Sequence, residues 1–367
     1  MKVFCYVQHL LGIGHLKRVA TIAHALRAHG FDVVLASGGM PVRGIAVDVQ
    51  LPPAASADLR TLVDERGRPV DDAWKRGRAA ALLDAWHAAR ADVLVIELFP
   101  FGRRQMRFEL LPLLEDAHRL ASRPLVVCSV RDVIQPRPDR EAEIAELVLG
   151  FFDRILVHGD PRLAPFERSF GALSRLEGRL HYTGYVVEPA AEPASAGSEV
   201  LVSAGGGAVG RRLLETAIAA RERTSLGSAT WRLLAGVNCS EADFRALERQ
   251  AKPGIVLERS RDDFRHLLAA AALSISQAGY NTVAETLQAG VRAVLVPYAA
   301  RGEVEQTLRA ALLTERGAAA MVEEAALTPA TLAEAVNRAV RLPLPEPGRV
   351  DLRGARRTAE LIAGWLA

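Results

Sequence analysis

The chain has 367 residues, too many for one ordinary hydrophobic core, so two domains are expected. Half of the residues are apolar, about a quarter are charged and the formal net charge is only +3, a soluble globular balance that makes no case for a nucleic-acid partner. Cys5, Cys128 and Cys239 are far apart and none belongs to a C-x-x-C pair, so they read as core thiols of a reducing compartment. The first apolar run ends early, at Gln8-His9, and no run approaches 18 apolar residues, so neither a signal peptide nor a transmembrane helix is expected. The expected location is the cytoplasm, with peripheral contact at the inner face of the membrane left open.

In chain order, short apolar runs at 2–8, 32–37, 92–96, 124–129 and 153–158 alternate with amphipathic segments, among them 16–29, 77–90 and 139–151. That alternation predicts βαβ units and a parallel sheet. Gly30 suits the position just past the end of the first helix. Residues 51–72, with prolines and charges, are expected to be a loop. The stretch 188–198, Glu-Pro-Ala-Ala-Glu-Pro-Ala-Ser-Ala-Gly-Ser, reads as a linker. The pattern then restarts, with strands at 199–204, 230–236, 254–258, 272–276 and 292–296. Helices are expected at 210–223, 241–250, 262–271, 281–289, 304–316 and 329–341, and a last one runs to Trp365. The expected domains are 1–188, 199–345 and a terminal segment, 346–367. In such sheets ligands bind beyond the carboxyl ends of the strands, so the expected architecture is two Rossmann-like domains facing a shared cleft.

After the first strand comes Gly12-Ile-Gly14-His15-Leu-Lys17-Arg18. The third glycine of a dinucleotide fingerprint is missing, its place taken by Lys17, which argues against an NAD site. His15 stands where strand turns into helix. There it can take a proton from an attacking hydroxyl or water, or simply bond to the turn's backbone. Glu97 follows the strand at 92–96, where a catalytic carboxylate or half of an ion pair would sit. Arg103, Arg104 and Arg107 stand at the start of the next helix, where they oppose its dipole and hint at a bound anion, a phosphate or an acidic lipid surface. Phe99 and Phe101 join these arginines as a candidate membrane-docking set. Arg131-Asp132 holds a similar strand-end position.

In the second half, Ser203-Ala-Gly205-Gly206-Gly207-Ala-Val-Gly210 follows a strand and opens a helix. Such a loop admits a pyrophosphate at a helix N-terminus, or is only a tight βα turn. Ser276-Gln277-Ala-Gly279-Tyr280-Asn281-Thr282-Val-Ala-Glu285 repeats the pattern, with Asn281 or Thr282 expected to cap the helix. Glu285, one turn in, can accept two hydrogen bonds from a ribose diol or merely suit the helix dipole. Glu303, Glu305 and Gln306 can read sugar hydroxyls or be solvated helix-start residues. No D-x-D, H-E-x-x-H, clustered Cys/His set or G-x-S-x-G occurs, so neither a metal site nor an esterase elbow is expected.

The start Gly12-Ile-Gly14-His15, the loop Gly205–Gly207 and the block Ser276 to Gln306 resemble GT-B glycosyltransferases. Within these enzymes they resemble the branch containing the peptidoglycan N-acetylglucosaminyltransferase. The run Gln8 to Arg18 is closer still to a bacterial group of predicted glycosyltransferases. The resemblance implies an inverting, metal-independent transfer from a UDP-linked sugar such as UDP-N-acetylglucosamine, with no cofactor. By it, Glu285 holds the ribose, and Gly205, Gly206, Gly207, Ser276, Gln277, Gly279, Tyr280 and Asn281 line the donor. Glu305 and Gln306 meet the sugar, where the family has paired glutamines. Gly12, Gly14, Arg103, Arg104 and Arg131 would meet a small-molecule or lipid-linked acceptor, and His15 or Glu97 would be the base. The last helix, 349–366, would cross back to the first domain. The glycine–histidine start also resembles a nucleotide-sugar hydrolase of the pseudaminic acid pathway, and the fold is shared with UDP-N-acetylhexosamine 2-epimerases. A non-catalytic nucleotide-sugar binder is the remaining alternative.

Overall fold

Parallel strands buried on both faces need near-continuous apolar runs, and this chain supplies two sets of them. The computed structural model describes residues 1–10, 12–56, 58, 61–190, 197–204, 210–236, 239–299, 302–345 and 348–367. The chain divides into two units. The first comprises Met1–Pro161, Pro165–Val186 and Arg353–Ala367, and the second Arg162–Ala164 and Val187–Leu352. Residues 191–196 of the expected linker lie outside the described residues.

The first unit runs β1 (Lys2–Val7), α1 (Gly14–Ala28), β2 (Asp32–Ser37), β3 (Val49–Gln50), α2 (Asp72–Ala89) and β4 (Val93–Glu97). It continues through α3 (Arg107–Arg119), β5 (Leu125–Arg131), α4 (Glu141–Phe151), β6 (Arg154–His158) and β7 (Leu180–Tyr182). Its strands lie in the order β3-β2-β1-β4-β5-β6-β7, all parallel.

The second unit holds β8 (Val200–Ser203), α5 (Arg211–Ala220), β9 (Trp231–Ala235), α6 (Glu241–Glu248), β10 (Ile255–Arg259) and α7 (Phe264–Ala269). Then come β11 (Leu273–Ser276), α8 (Tyr280–Ala289), β12 (Ala293–Leu295), α9 (Glu305–Glu315), β13 (Ala320–Met321) and α10 (Pro329–Arg341). Its order, β10-β9-β8-β11-β12-β13, repeats the doubly wound 3-2-1-4-5-6 pattern. The last helix, α11 (Gly354–Leu366), belongs to the first unit, where Ala359 and Ile362 join α1 residues Val19 and Ile22 in one apolar cluster.

Period-2 alternation separates the two faces of the first sheet. Val3, Cys5, Val93, Val95 and Val127 pack toward α1 and α11. Phe4, Tyr6, Leu94, Ile96, Val126 and Cys128 pack toward α2, α3 and α4.

Several local expectations change. Helix α2 begins five residues earlier than periodicity predicts, because the Asp71 carboxylate accepts from Trp74 N at 2.7 Å and caps it. Strands β3, β7 and β13, of two or three residues, are too short to leave a periodic signal. Helix α8 starts at Tyr280 with Gly279 as its cap, and neither Asn281 nor Thr282 caps it. Phe99 and Phe101 are not a docking surface. Both are buried, and Phe101 meets Phe166 and Phe170 edge-on at 5.4 and 5.2 Å. Packing of the segment after β6 against this loop, invisible to local sequence, draws them inward.

Candidate active site

Both sheets reverse strand order at a switch point, β1/β4 in the first unit and β8/β11 in the second, where open α/β sheets hold ligands. The motifs singled out above follow these four strands.

In the first unit α1 opens at Gly14, just past β1, and carries His15 and Arg18 one turn apart. Glu97 ends β4 and is buried. His15 Nδ1 lies 3.1 Å from Glu97 Oε1, and the buried Arg18 guanidinium also donates to Oε1. The other oxygen, Oε2, accepts from Ser129 Oγ at 2.7 Å. Sheet register explains this contact, since Glu97 pairs directly with Ser129 across β4 and β5 and so shares its face. Ser129 Oγ in turn lies 2.9 Å from His158 Nε2, and His158 Nδ1 lies 2.9 Å from Thr183 Oγ1. Ser129, His158 and Thr183 are all buried.

Burial holds the His15 imidazole well below its ordinary pKa, and Arg103, Arg131, Arg18 and His9 push in the same direction. Burial also lowers His158, to about 3, with Arg18 adding to the effect and Glu97 opposing it. Both rings are therefore neutral near pH 7. An imidazole whose Nδ1 faces a carboxylate presents Nε2 as a base of defined tautomer.

The loop after β4 is strained. Leu98 and Arg103 have φ of +67° and +60°, a left-handed backbone that costs non-glycine residues energy and clusters at functional sites. A Cβ on Gly102 would stand 2.8 Å from Leu98 Cδ2, so only glycine fits between them. In this conformation Arg103 Nε donates to Gln8 O at 2.7 Å. Burial, then the nearby Arg131, brings the Arg103 guanidinium down to about 10, the sign of concentrated positive charge. Of the remaining arginines, Arg104 is exposed and Arg107 pairs with Glu143 at 2.6 Å. Gly12 is exposed and Gly14 half-buried. Asp132, beside Arg131, is buried and accepts from Tyr185 Oη at 3.0 Å.

In the second unit Ser276 ends β11 beside Ser203 of β8, its buried hydroxyl meeting no partner among the described residues. Gln277 and Gly279 form the turn, Tyr280 and Asn281 open α8, and Glu285 is buried in it. Glu305 is buried too. Arg309, one turn further along α9, donates to Glu305 Oε1 at 2.8 Å and to Ala278 O at 2.9 Å. Gln306 Oε1 accepts from Tyr298 N at 3.2 Å. Gly205, Gly206 and Gly207 lie outside the described residues. Among the described residues no group of three or more His, Cys, Asp or Glu side chains gathers as a metal set, and no helix is long and apolar enough to cross a membrane. A cavity of about 740 Å³ in the first unit lies at the opposite, amino ends of β1, β4, β5 and β6, against Trp86, Asp92, Pro124 and Arg154.

The structure thus brings His15, Glu97, Arg103 and Arg131 together. Sequence reasoning missed Arg18, Ser129, His158 and Thr183 as parts of one site. The available signal was period 2, which puts Ser129 and Arg131 on one face of β5, and a histidine ending the next strand.

The two doubly wound units define the class, the GT-B architecture of two Rossmann-like domains, and residues 238–346 match the glycosyltransferase family 28 C-terminal domain. More particularly, parts of the chain are similar in sequence to peptidoglycan N-acetylglucosaminyltransferases. It is 42% identical over 78 residues to the UDP-N-acetylglucosamine–N-acetylmuramyl-(pentapeptide) pyrophosphoryl-undecaprenol N-acetylglucosamine transferase of Exiguobacterium sp., covering 21% of this chain and 22% of that protein. It is 28% identical over 232 residues to the enzyme of the same name from Paraburkholderia xenovorans, covering 62% of this chain and 59% of that protein. The matches span less than two thirds of these relatives. The crystal structure of Acinetobacter baumannii MurG shares the fold, with a TM-score of 0.63 at 15% identity over 99% of this chain and all of that one.

Proposed function

We propose that the chain is an inverting glycosyltransferase that moves a sugar from a UDP-linked donor, of the UDP-N-acetylglucosamine kind, to an acceptor hydroxyl. The observation that carries this reading is the His15–Glu97 pair at the β1/β4 switch point, in a chain whose second unit holds a glycosyltransferase family 28 C-terminal domain. His15 Nε2 takes the proton of the acceptor hydroxyl as its oxygen attacks the anomeric carbon, and the bond from that carbon to the diphosphate breaks. Glu97 holds Nδ1 and stabilises the imidazolium that forms. Its oxygens are already engaged by His15, Arg18 and Ser129, which favours His15 over Glu97 as the base.

The second unit takes the donor. Glu285 holds the ribose, Ser276, Gln277, Gly279, Tyr280 and Asn281 line the diphosphate with the loop Gly205 to Gly207, and Gln306 meets the sugar. Glu305 acts beside it from within its ion pair with Arg309. Helix N-terminal N–H groups, rather than a metal ion, stabilise the leaving diphosphate. Gly12, Gly14, Arg103, Arg104 and Arg131 receive the acceptor, whose class their charge suggests is anionic, including a lipid-linked diphosphate at the inner face of the membrane.

Calorimetric titration with UDP, GDP, dTDP and their common sugars, with Glu285→Ala as control, tests the donor half. Selective UDP binding, weakened in the variant, is expected. No binding of any nucleotide by the folded chain would refute the reading, and release of free sugar at catalytic rates without acceptor would reassign it to hydrolysis.

A further inference from the structure

We infer that Ser129 and His158 are positioning residues, the middle of a buried chain from Thr183 to Glu97 that sets the proton arrangement of the His15 imidazole. The inference rests on the reading of His15 as the base. It extends that pair by three side chains on β5, β6 and the segment after β7.

Counting protons makes the chain directional. A serine or threonine hydroxyl has one proton, a neutral imidazole has one N–H, and an ionised carboxylate only accepts. Glu97 Oε1 accepts from Arg18 and Oε2 accepts from Ser129 Oγ, so the proton between Ser129 and Glu97 belongs to Ser129. Ser129 then has no proton for His158, so His158 Nε2–H donates to Ser129 Oγ across 2.9 Å. Nδ1 is left bare and accepts from the Thr183 hydroxyl, also at 2.9 Å. The alternative has Thr183 donating to Gly184 O, 2.9 Å away, and His158 carrying its proton on Nδ1. Ser129 would then donate to His158, leaving no proton between Ser129 and Glu97 unless Glu97 itself is protonated. The two arrangements differ in whether Ser129 donates to Glu97 or to His158, so the tautomer of His158 reports the direction of the Ser129 hydroxyl.

The same logic reaches His15. With both Glu97 oxygens acting as acceptors, Nδ1 of His15, 3.1 Å from Oε1 and 3.3 Å from Arg18 Nη2, is assigned as a donor to Oε1, and Nε2 is then the bare nitrogen. Among the described residues, the charged or titratable groups around the chain include His15 and Arg18 on α1, Tyr6 on β1 and His9 after it, Arg103 after β4, and Cys128, Arg131 and Asp132 on or just after β5, with Tyr185 bonded to Asp132. Burial keeps His158 neutral, so it acts as a dipole of fixed direction and never as a second base.

Ring ¹⁵N NMR of the histidines in the intact chain tests this without substrate. The expected result between pH 6 and 8 is His158 protonated on Nε2 and His15 on Nδ1. Ser129→Ala, the loss of one buried oxygen, is expected to mix the His15 tautomers, and its kcat is expected to fall about 10–100-fold with KM within about threefold. His158→Gln, which offers an amide N–H at the reach of Nε2, is expected to retain activity within about threefold, whereas His158→Phe, which only fills the space, should behave as Ser129→Ala. His158 found protonated on Nδ1, or His15 unchanged in Ser129→Ala, overturns the inference. So does full activity in His158→Phe with reduced activity in His158→Gln. If His158→Phe does not fold, Ser129→Ala decides by itself. Failure of the glycosyl-transfer reading would show separately, as no turnover of any nucleotide sugar by the unmodified chain.

Discussion

Arg78 on α2 and Glu109 on α3 form an ion pair that water does not reach, with Nε 2.6 Å from Oε2 and both side chains fully buried. The pair also ties down the opposite face of β1. Tyr6 Oη donates to Glu109, and Arg78 donates to Gln8 Oε1 at 2.5 Å and to Gly38 O at 2.8 Å. A Cβ on Gly38 would sit 2.1 Å from the guanidinium, which is why glycine stands there. Gln8 precedes the glycine–histidine turn, so this network fixes where α1 begins. Arg78→Met takes from Glu109 its ion-pair partner in the core and is expected to destabilise the chain by about 3–5 kcal/mol. Urea denaturation followed by circular dichroism checks it, and a loss under about 1 kcal/mol would show that the pair is not structural.

His15→Ala removes the proposed base but little packing, since the ring lies at the rim of the buried chain. A fall in kcat of about 10²–10⁴ with nucleotide affinity unchanged is expected, from steady-state kinetics beside calorimetry. Equal losses in nucleotide affinity would mean that His15 binds rather than catalyses.

Acid should weaken the fold through His158. Its folded pKa, about 3, is below the ordinary 6.5, so the unfolded chain binds the extra proton first and stability falls as pH drops below about 6.5. The slope approaches about 1.4 kcal/mol per pH unit until the folded value is reached. His158→Gln removes this component, so the stability difference between it and the unmodified chain should narrow or invert from pH 7 to pH 4.5. Parallel denaturation curves at both pH values would contradict the neutral, buried state of His158.

Phe101→Ala is expected to cost about 3–5 kcal/mol, because it empties a site shared with Phe166 and Phe170. Its effect on sedimentation with anionic vesicles should be nil in the folded fraction. Reduced vesicle binding at unchanged stability would restore Phe101 to a docking role.

How much was legible in the sequence follows from the range of each interaction. Strand 32–37 and helix 329–341 were readable to the residue, since local apolar runs and a proline at a helix start announce them. His15 and Glu97 were readable as strand-end residues, because βαβ order alone puts both at carboxyl ends. Glu305 and Arg309 stand four positions apart on one helix, a spacing visible in the sequence, but local sequence said nothing of the bond from Arg309 to Ala278 O, which depends on how α9 meets the turn after β11.

The sequence by itself determined two doubly wound α/β units and the strand-end places of their chemistry, because hydrophobic periodicity and glycine turns act over a few residues. Only the tertiary structure decided that Glu97 meets Ser129 rather than an arginine alone, that Phe101 points inward, and that His158 lies behind the base. Those contacts join strands and loops some 30 or more positions apart. Sheet register and helix packing select them, and no local pattern encodes either.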